Sequence, residues 1–330
     1  MRYLTTLLRS TVVRTGFLVI ALGLAVFAVV RERSSVAEAL TRMDLVSVLV
    51  SVVLGAVYVG FTFLAWRSVL ADLGSRLPVR TAGPLFVVSQ LGKYVPGGVW
   101  NVVAAAELGS EHAIPRRRSL SAMAVAVLVS VVTGVAVAVL AVAIAPAQVR
   151  AAYGWVLWAA PVALVLLAPP VLNRVLGLAF RLMRREPLEE PLTTAGLSRA
   201  VGWSVASWLA AGLQVWVLGR AVGMDGTVST LALSIGGYAL AWVVGFLVVF
   251  VPAGLGAREV VLAALLAGQL DSGGVLTVVL LSRLVLTVVD VAAGVGGVAL
   301  ARQETRRRAH RLGGAPLGDP VGEDPGAPQP

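Results

Sequence analysis

Five ionisable residues stand where apolar sequence leaves little room for charge: Lys93, Arg258, Glu259, Arg283 and Asp290. Three of them adjoin runs that break helices. Lys93-Tyr94-Val95-Pro96-Gly97-Gly98 and Phe250-Val251-Pro252-Ala253-Gly254-Leu255-Gly256-Ala257-Arg258-Glu259 each combine proline, glycine and charge. Backbone that leaves helical geometry at membrane depth has to be buried in protein or line a wet cavity, because hydrocarbon offers no partner for the freed N–H and C=O groups. Paired interruptions in corresponding positions of two halves point to a transporter's binding site.

Each residue type suggests a task. Pro96 ends an inward half-helix, and Gly97 and Gly98 allow a tight reversal with close backbone approach. The returning half-helix starts near Val99, so its N-terminal amides point inward and favour an anion such as a phosphodiester. Pro252, Gly254 and Gly256 make the same offer from the other side. Lys93 is the chain's one lysine against 26 arginines, which suits a site wanting a compact ammonium; it either meets phosphate or snorkels to water. Arg258 is a headgroup contact with Glu259 compensating it or meeting an amino group, or else the two form an interfacial pair. Arg283 and Asp290, seven residues apart, share one helical face. Asp290 is a natural partner for Lys93, Arg258 or Arg283, as a tether or as a substrate contact. Tyr94 and Trp100 line the cavity or anchor at the interface. Asn101 and Gln90 satisfy freed backbone, and Glu107 belongs at the membrane boundary.

The surrounding elements must be membrane helices. The chain of 330 residues is 58% hydrophobic and 13% charged, with a mean hydropathy of +0.88, too apolar for a water-soluble globule. Absence of cysteine excludes disulfides, thiolate metal sites and cysteine nucleophiles. The two histidines, His112 and His310, fall in a loop and a tail, so neither metal nor cofactor is expected. The net charge of +10 does not indicate nucleic acid, because the arginines are parcelled between apolar runs. Membrane spans are predicted at about 16–30, 44–66, 120–145, 153–173, 200–222 and 276–300. Arg31-Glu32-Arg33 directly follows the first run and marks it as a retained anchor rather than a cleaved signal.

Nineteen arginines fall on one alternating set of connecting segments and five on the other. By the positive-inside rule the richer set, including both termini, is cytoplasmic. The region 81–106 then enters and returns from the inside as a helical hairpin, and 228–268 does so from the outside. Pro96 and Pro252 are 156 residues apart, and the predicted second and fifth spans share that offset. The expected architecture is an all-α polytopic membrane protein, an inverted repeat of two halves (about 10–147 and 148–302). Each half has three spans and one re-entrant hairpin, within a single transmembrane domain over 1–311. The stretch 174–199 is read as carrying a short helix on the membrane, and 312–330 as a disordered cytoplasmic tail.

The run Ser89-Gln90-Leu91-Gly92-Lys93-Tyr94-Val95-Pro96-Gly97-Gly98-Val99-Trp100, followed by Pro252-Ala253-Gly254-Leu255-Gly256-Ala257-Arg258-Glu259, resembles the flippase-like transmembrane domain of lysylphosphatidylglycerol synthases and their stand-alone relatives. The likeness covers about residues 10–302. It implies a helical domain that handles lipid-linked substrates, moving aminoacylated phosphatidylglycerol between leaflets in the best understood branch. The separate soluble aminoacyl-transfer domain of those synthases is not expected here, since a short tail follows the last span. The implied cargo is a membrane phospholipid or a polyprenyl-linked lipid, and the implied protein partners are a second copy or a lipid-modifying enzyme. No Walker-type loop, zinc-protease helix or nucleophile elbow supports enzyme chemistry. The expectation is a lipid flippase-like transporter; a membrane transferase or a non-transporting partner of glycolipid enzymes are the alternatives.

Overall fold

The computed structural model describes residues 43–94, 100–182, 192–247 and 256–313. The predicted first span with its retained anchor, the tips Pro96, Gly97, Gly98, Pro252 and Gly254, and tail residues 314–330 lie outside the described residues. In chain order the helices are α1 (Leu45–Asp72), α2 (Val79–Gln90) closed by a 3₁₀ turn (Leu91–Tyr94), α3 (Trp100–Ser110), α4 (Arg116–Val142) and α5 (Ala147–Tyr153). A 3₁₀ stretch (Gly154–Ala159) leads to α6 (Ala160–Leu167), α7 (Pro169–Leu182), α8 (Thr194–Ala221), α9 (Val228–Leu247), α10 (Ala257–Leu266) and α11 (Ser272–Gly313). Among the described residues there is no β-strand.

Six described segments are long and apolar enough to cross a bilayer: α1, α4, Ala147–Leu167, α8, α9 and the first 32 residues of α11. The protein is a multi-pass, all-α membrane protein. The fourth predicted span is displaced, from about 153–173 to Ala147–Leu167. Prolines set its limits. Pro146 caps α5, and Ala168 is extended before Pro169, as a residue preceding proline tends to be. The helix expected in the following loop is α7, and it begins inside the predicted span. At 20 residues α9 has the length of a full span, whereas α2 has 12 residues, so the helices that lead into the two interruptions differ in length.

Caps hold the longer helices in register. Hydrogen bonds from Ser47 hold the exposed Asp44 carboxyl, the N-cap of α1, below the usual carboxylate range. Thr193 Oγ1 accepts from Gly196 N at 3.0 Å to cap α8.

Two apolar clusters pack the bundle. One joins Tyr58, Trp208, Tyr238, Leu262 and Val279 from α1, α8, α9, α10 and α11. The other joins Trp66, Phe86, Met123, Leu172 and Leu197 from α1, α2, α4, α7 and α8. A polar seam ties α4 to α8: Thr133 Oγ1 and Ser204 Oγ are 2.7 Å apart, and Trp208 Nε1 donates to Thr133 Oγ1 at 3.0 Å. Hydroxyls cross-bonded inside a membrane bundle satisfy each other where lipid cannot.

Contacts sort the connecting segments into two ends. Thr193 N and Oγ1 both donate to Asp72 at 2.7 Å, and Arg118 Nη1 donates to Ser75 Oγ at 3.0 Å. The end of α1 therefore lies with the starts of α4 and α8. Both α2, which starts at Val79, and α3, whose Glu107 pairs with Arg116, have their outer ends here. At the far end of α4, Gly268 after α10 lies beside Gln148 of α5.

Candidate functional site

At each interruption a glycine lets the chain approach the segment that follows it. A Cβ on Gly92 would lie 2.5 Å from Asn101 N and 2.6 Å from the Trp100 carbonyl carbon, so only glycine lets the 3₁₀ turn touch the start of α3. In the second region Gly256 precedes α10 with φ of 83°, a left-handed conformation that glycine adopts without strain. A Cβ on Gly245 would strike the Arg258 side chain, which crosses α9 there.

Helix α11 answers each region with a charge of opposite sign. Asp290, buried to 4% side-chain exposure, pairs with Lys93 Nζ at 2.6 Å and accepts a hydrogen bond from the Tyr94 hydroxyl at 2.7 Å. Two turns earlier, Arg283 Nε lies 3.2 Å from Glu259 Oε1. One face of one helix thus carries a carboxylate for the first region and a guanidinium for the second. Of the three partners open to Asp290 from sequence, Lys93 is the one it meets.

Arg258 is different. Among the described residues it has no carboxylate at ion-pair distance, and its buried Nε has no hydrogen-bond partner. Its guanidinium rests 5.3 Å from the centre of the Trp242 ring. The ring's negative face holds the cation without neutralising it. Trp242 belongs to an aromatic wall: Trp208 meets it at 5.2 Å, and Tyr58 meets Tyr238 edge-on at 6.2 Å between ring centres.

These groups line a cavity of about 300 Å³ between the two apolar clusters. Of the residues singled out from sequence, Lys93, Tyr94, Asn101, Arg258, Glu259, Arg283 and Asp290 meet there, together with Gln90. Trp100 starts α3 without lining the cavity, and Gly256 shapes the entry to α10 from an exposed position. Glu107 lies away from the cavity, where Arg116 Nη2 reaches both of its oxygens at 2.9 and 2.8 Å. Tyr58, Tyr238 and Trp242 were not foreseen, because an aromatic residue in an apolar span carries no local mark of the cavity it faces. The lining holds three cations and two carboxylates, leaving one positive charge in excess. Chemically, the arrangement can receive a singly charged anion at Arg258. An ammonium can be met by Glu259 where it displaces Arg283, whose Nε lies 3.2 Å from Oε1 without hydrogen-bond geometry.

Residues 15–294 match the family described as the lysylphosphatidylglycerol synthase TM region. No curated protein matches the chain.

Proposed function

Because the chain belongs to the family of the lysylphosphatidylglycerol synthase TM region, we propose that it is a flippase-like transporter carrying an anionic or aminoacylated phospholipid, or another lipid-linked substrate, between leaflets. One observation carries the reading: Arg258 is a cation in a cavity where the other two cations are already paired. A phosphodiester supplies the single negative charge that balances it, and the guanidinium fork can take two phosphate oxygens at once. Glu259 then stands next to the phosphate site, where an aminoacyl group would place its ammonium.

The two charged residues of α11 give the movement a track. Lys93 and Asp290, and Arg283 and Glu259, are pairs that a headgroup carrying both a phosphate and an ammonium can enter, its phosphate meeting the cation and its ammonium the carboxylate, so that neither ion is left bare in a low-dielectric site. In this reading the two interrupted regions are re-entrant hairpins of an inverted repeat, facing each other from opposite sides. Both chain termini are cytoplasmic, the protein resides in the cell membrane, and the lipid leaves chemically unchanged.

Leaflet-resolved labelling of phosphatidylglycerol in vesicles reconstituted with the full chain tests this. The parent is expected to equilibrate the lipid between leaflets, and Arg258→Gln to slow it by roughly tenfold or more, as loss of a charge-assisted contact implies. Unchanged rates in both Arg258→Gln and Lys93→Ala would remove these residues from the mechanism. A chemically altered lipid would make the protein a transferase, and neither movement nor alteration would make it a partner of other enzymes.

A further inference from the structure

A second cleft, of about 380 Å³, opens where the end of α1 meets the start of α8, lined by Arg67, Ser68, Asp72, Arg76, Leu77 and Arg199. Three guanidiniums and one carboxylate converge on it. The carboxylate is already engaged, since Asp72 accepts from both Thr193 N and Thr193 Oγ1 at 2.7 Å. Two of the arginines are held from behind: Arg67 Nε donates to Leu77 O and Arg199 Nε to Ala195 O, each at 3.1 Å. Fixing Nε orients the guanidinium and leaves its terminal nitrogens for a ligand. Arg76 is exposed and has no hydrogen-bond or ion-pair partner among the described residues. The loop that carries it is pinned by Arg118 Nη1 donating to Ser75 Oγ at 3.0 Å.

The positive-inside rule accounts for arginine at this end of the bundle, but it asks only for solvated charge. It gives no reason for three guanidiniums to share one cleft or for two of them to be tethered to backbone carbonyls. We propose that this cleft is a binding site for a doubly charged phosphate group, separate from the central cavity. With Asp72 counted, the lining carries two positive charges in excess, which a phosphomonoester dianion balances and a phosphodiester does not. Two sources offer that chemistry: the headgroup of phosphatidic acid, which lies at the depth of the helix ends, and soluble phosphate.

The test is native mass spectrometry of the detergent-solubilised full chain with phosphatidic acid, phosphatidylglycerol or phosphatidylcholine added, beside calorimetric titration with inorganic phosphate. Phosphatidic acid is expected to bind the parent in preference to the other two lipids. Arg76→Ala should weaken that binding about tenfold, the size of one charge-assisted contact. It has no protein partner to lose, so its thermal midpoint should match the parent's. Arg80→Ala, an exposed arginine outside the cleft, should bind as the parent does. If inorganic phosphate binds and displaces the lipid, the site also takes the soluble anion; if only the lipid binds, the headgroup is the ligand. Three results overturn the proposal: neither probe binding, all three lipids binding alike, or Arg76→Ala and Arg80→Ala behaving the same.

Discussion

Asp290 holds two groups at once, the Lys93 ammonium at 2.6 Å and the Tyr94 hydroxyl at 2.7 Å, so its replacement by asparagine takes the countercharge from Lys93 and leaves one amide oxygen for two donors. Breaking one side of a buried pair costs about 3–5 kcal/mol. Lys93 keeps 32% of its side-chain surface exposed, and solvent reduces the expected loss for Asp290→Asn to about 1–3 kcal/mol. Lys93→Met in the same chain should recover part of it, because the stranded charge is then gone. Thermal unfolding of both single variants and the double variant in detergent measures the coupling. Strict additivity would mean that the two residues touch without stabilising each other. These partners were legible in outline: a charge inside an apolar run has to find a counter-charge, and the seven-residue spacing of Arg283 and Asp290 put both on one face. That one face serves two different regions was not legible, since pairing across 196 residues is set by packing that no local pattern records. For the same reason Arg258 and Lys93 looked alike in sequence, yet one rests on an aromatic ring and the other is neutralised.

Helices that meet in a membrane approach closely through small residues, and glycine here marks where they do. A Cβ on Gly212 of α8 would run into the Ile235 backbone of α9, and one on Gly196 would strike the Asp72 carboxyl at the joint between α1 and α8. Backbone cannot swing aside as a flexible side chain can, so Gly212→Ala should destabilise the bundle by about 1–3 kcal/mol through overpacking. Gly60→Ala on α1 is the reference, because nothing lies within 4 Å of the added methyl. It should be neutral or stabilising by about 0.5–1 kcal/mol through helix propensity. Melting temperatures of the two variants in one detergent decide it; equal shifts would mean that the α8–α9 contact has slack. At this level the sequence was most readable where apolar runs ended in proline or charge. It misplaced the fourth span, whose apolar content continues past Leu167 while Pro169 stops the helix. It also did not separate α9 from a half-helix, because an uncharged, mostly apolar run of 20 residues has the same composition whether it crosses the membrane or turns back within it.

Taken together, the contacts define a bundle with two chemically different ends. Asp72 with Thr193, Arg118 with Ser75, and Glu107 with Arg116 gather the arginine-rich connections at one end, while Gln148 and Gly268 meet at the other. Geometry alone groups these connections; in the orientation proposed from the positive-inside rule the arginine-rich end is the cytoplasmic one. Absence of cysteine makes that assignment directly measurable, because a single introduced thiol is the only one in the chain. Ser198 and Asp225 are exposed positions near the two ends of α8. In intact cells an impermeant maleimide should label Asp225→Cys and spare Ser198→Cys until the membrane is opened. The cavity makes the same experiment informative about mechanism. If the interrupted regions face each other from opposite sides, a thiol at Gln90, beside the first, should react from the cytoplasmic side and one at Phe246, beside the second, from the external side. Each should become less reactive when an anionic lipid occupies Arg258. Labelling of both from one side would make the cavity a pocket with a single entrance, and a carrier that exchanges lipid between leaflets could not be built on it.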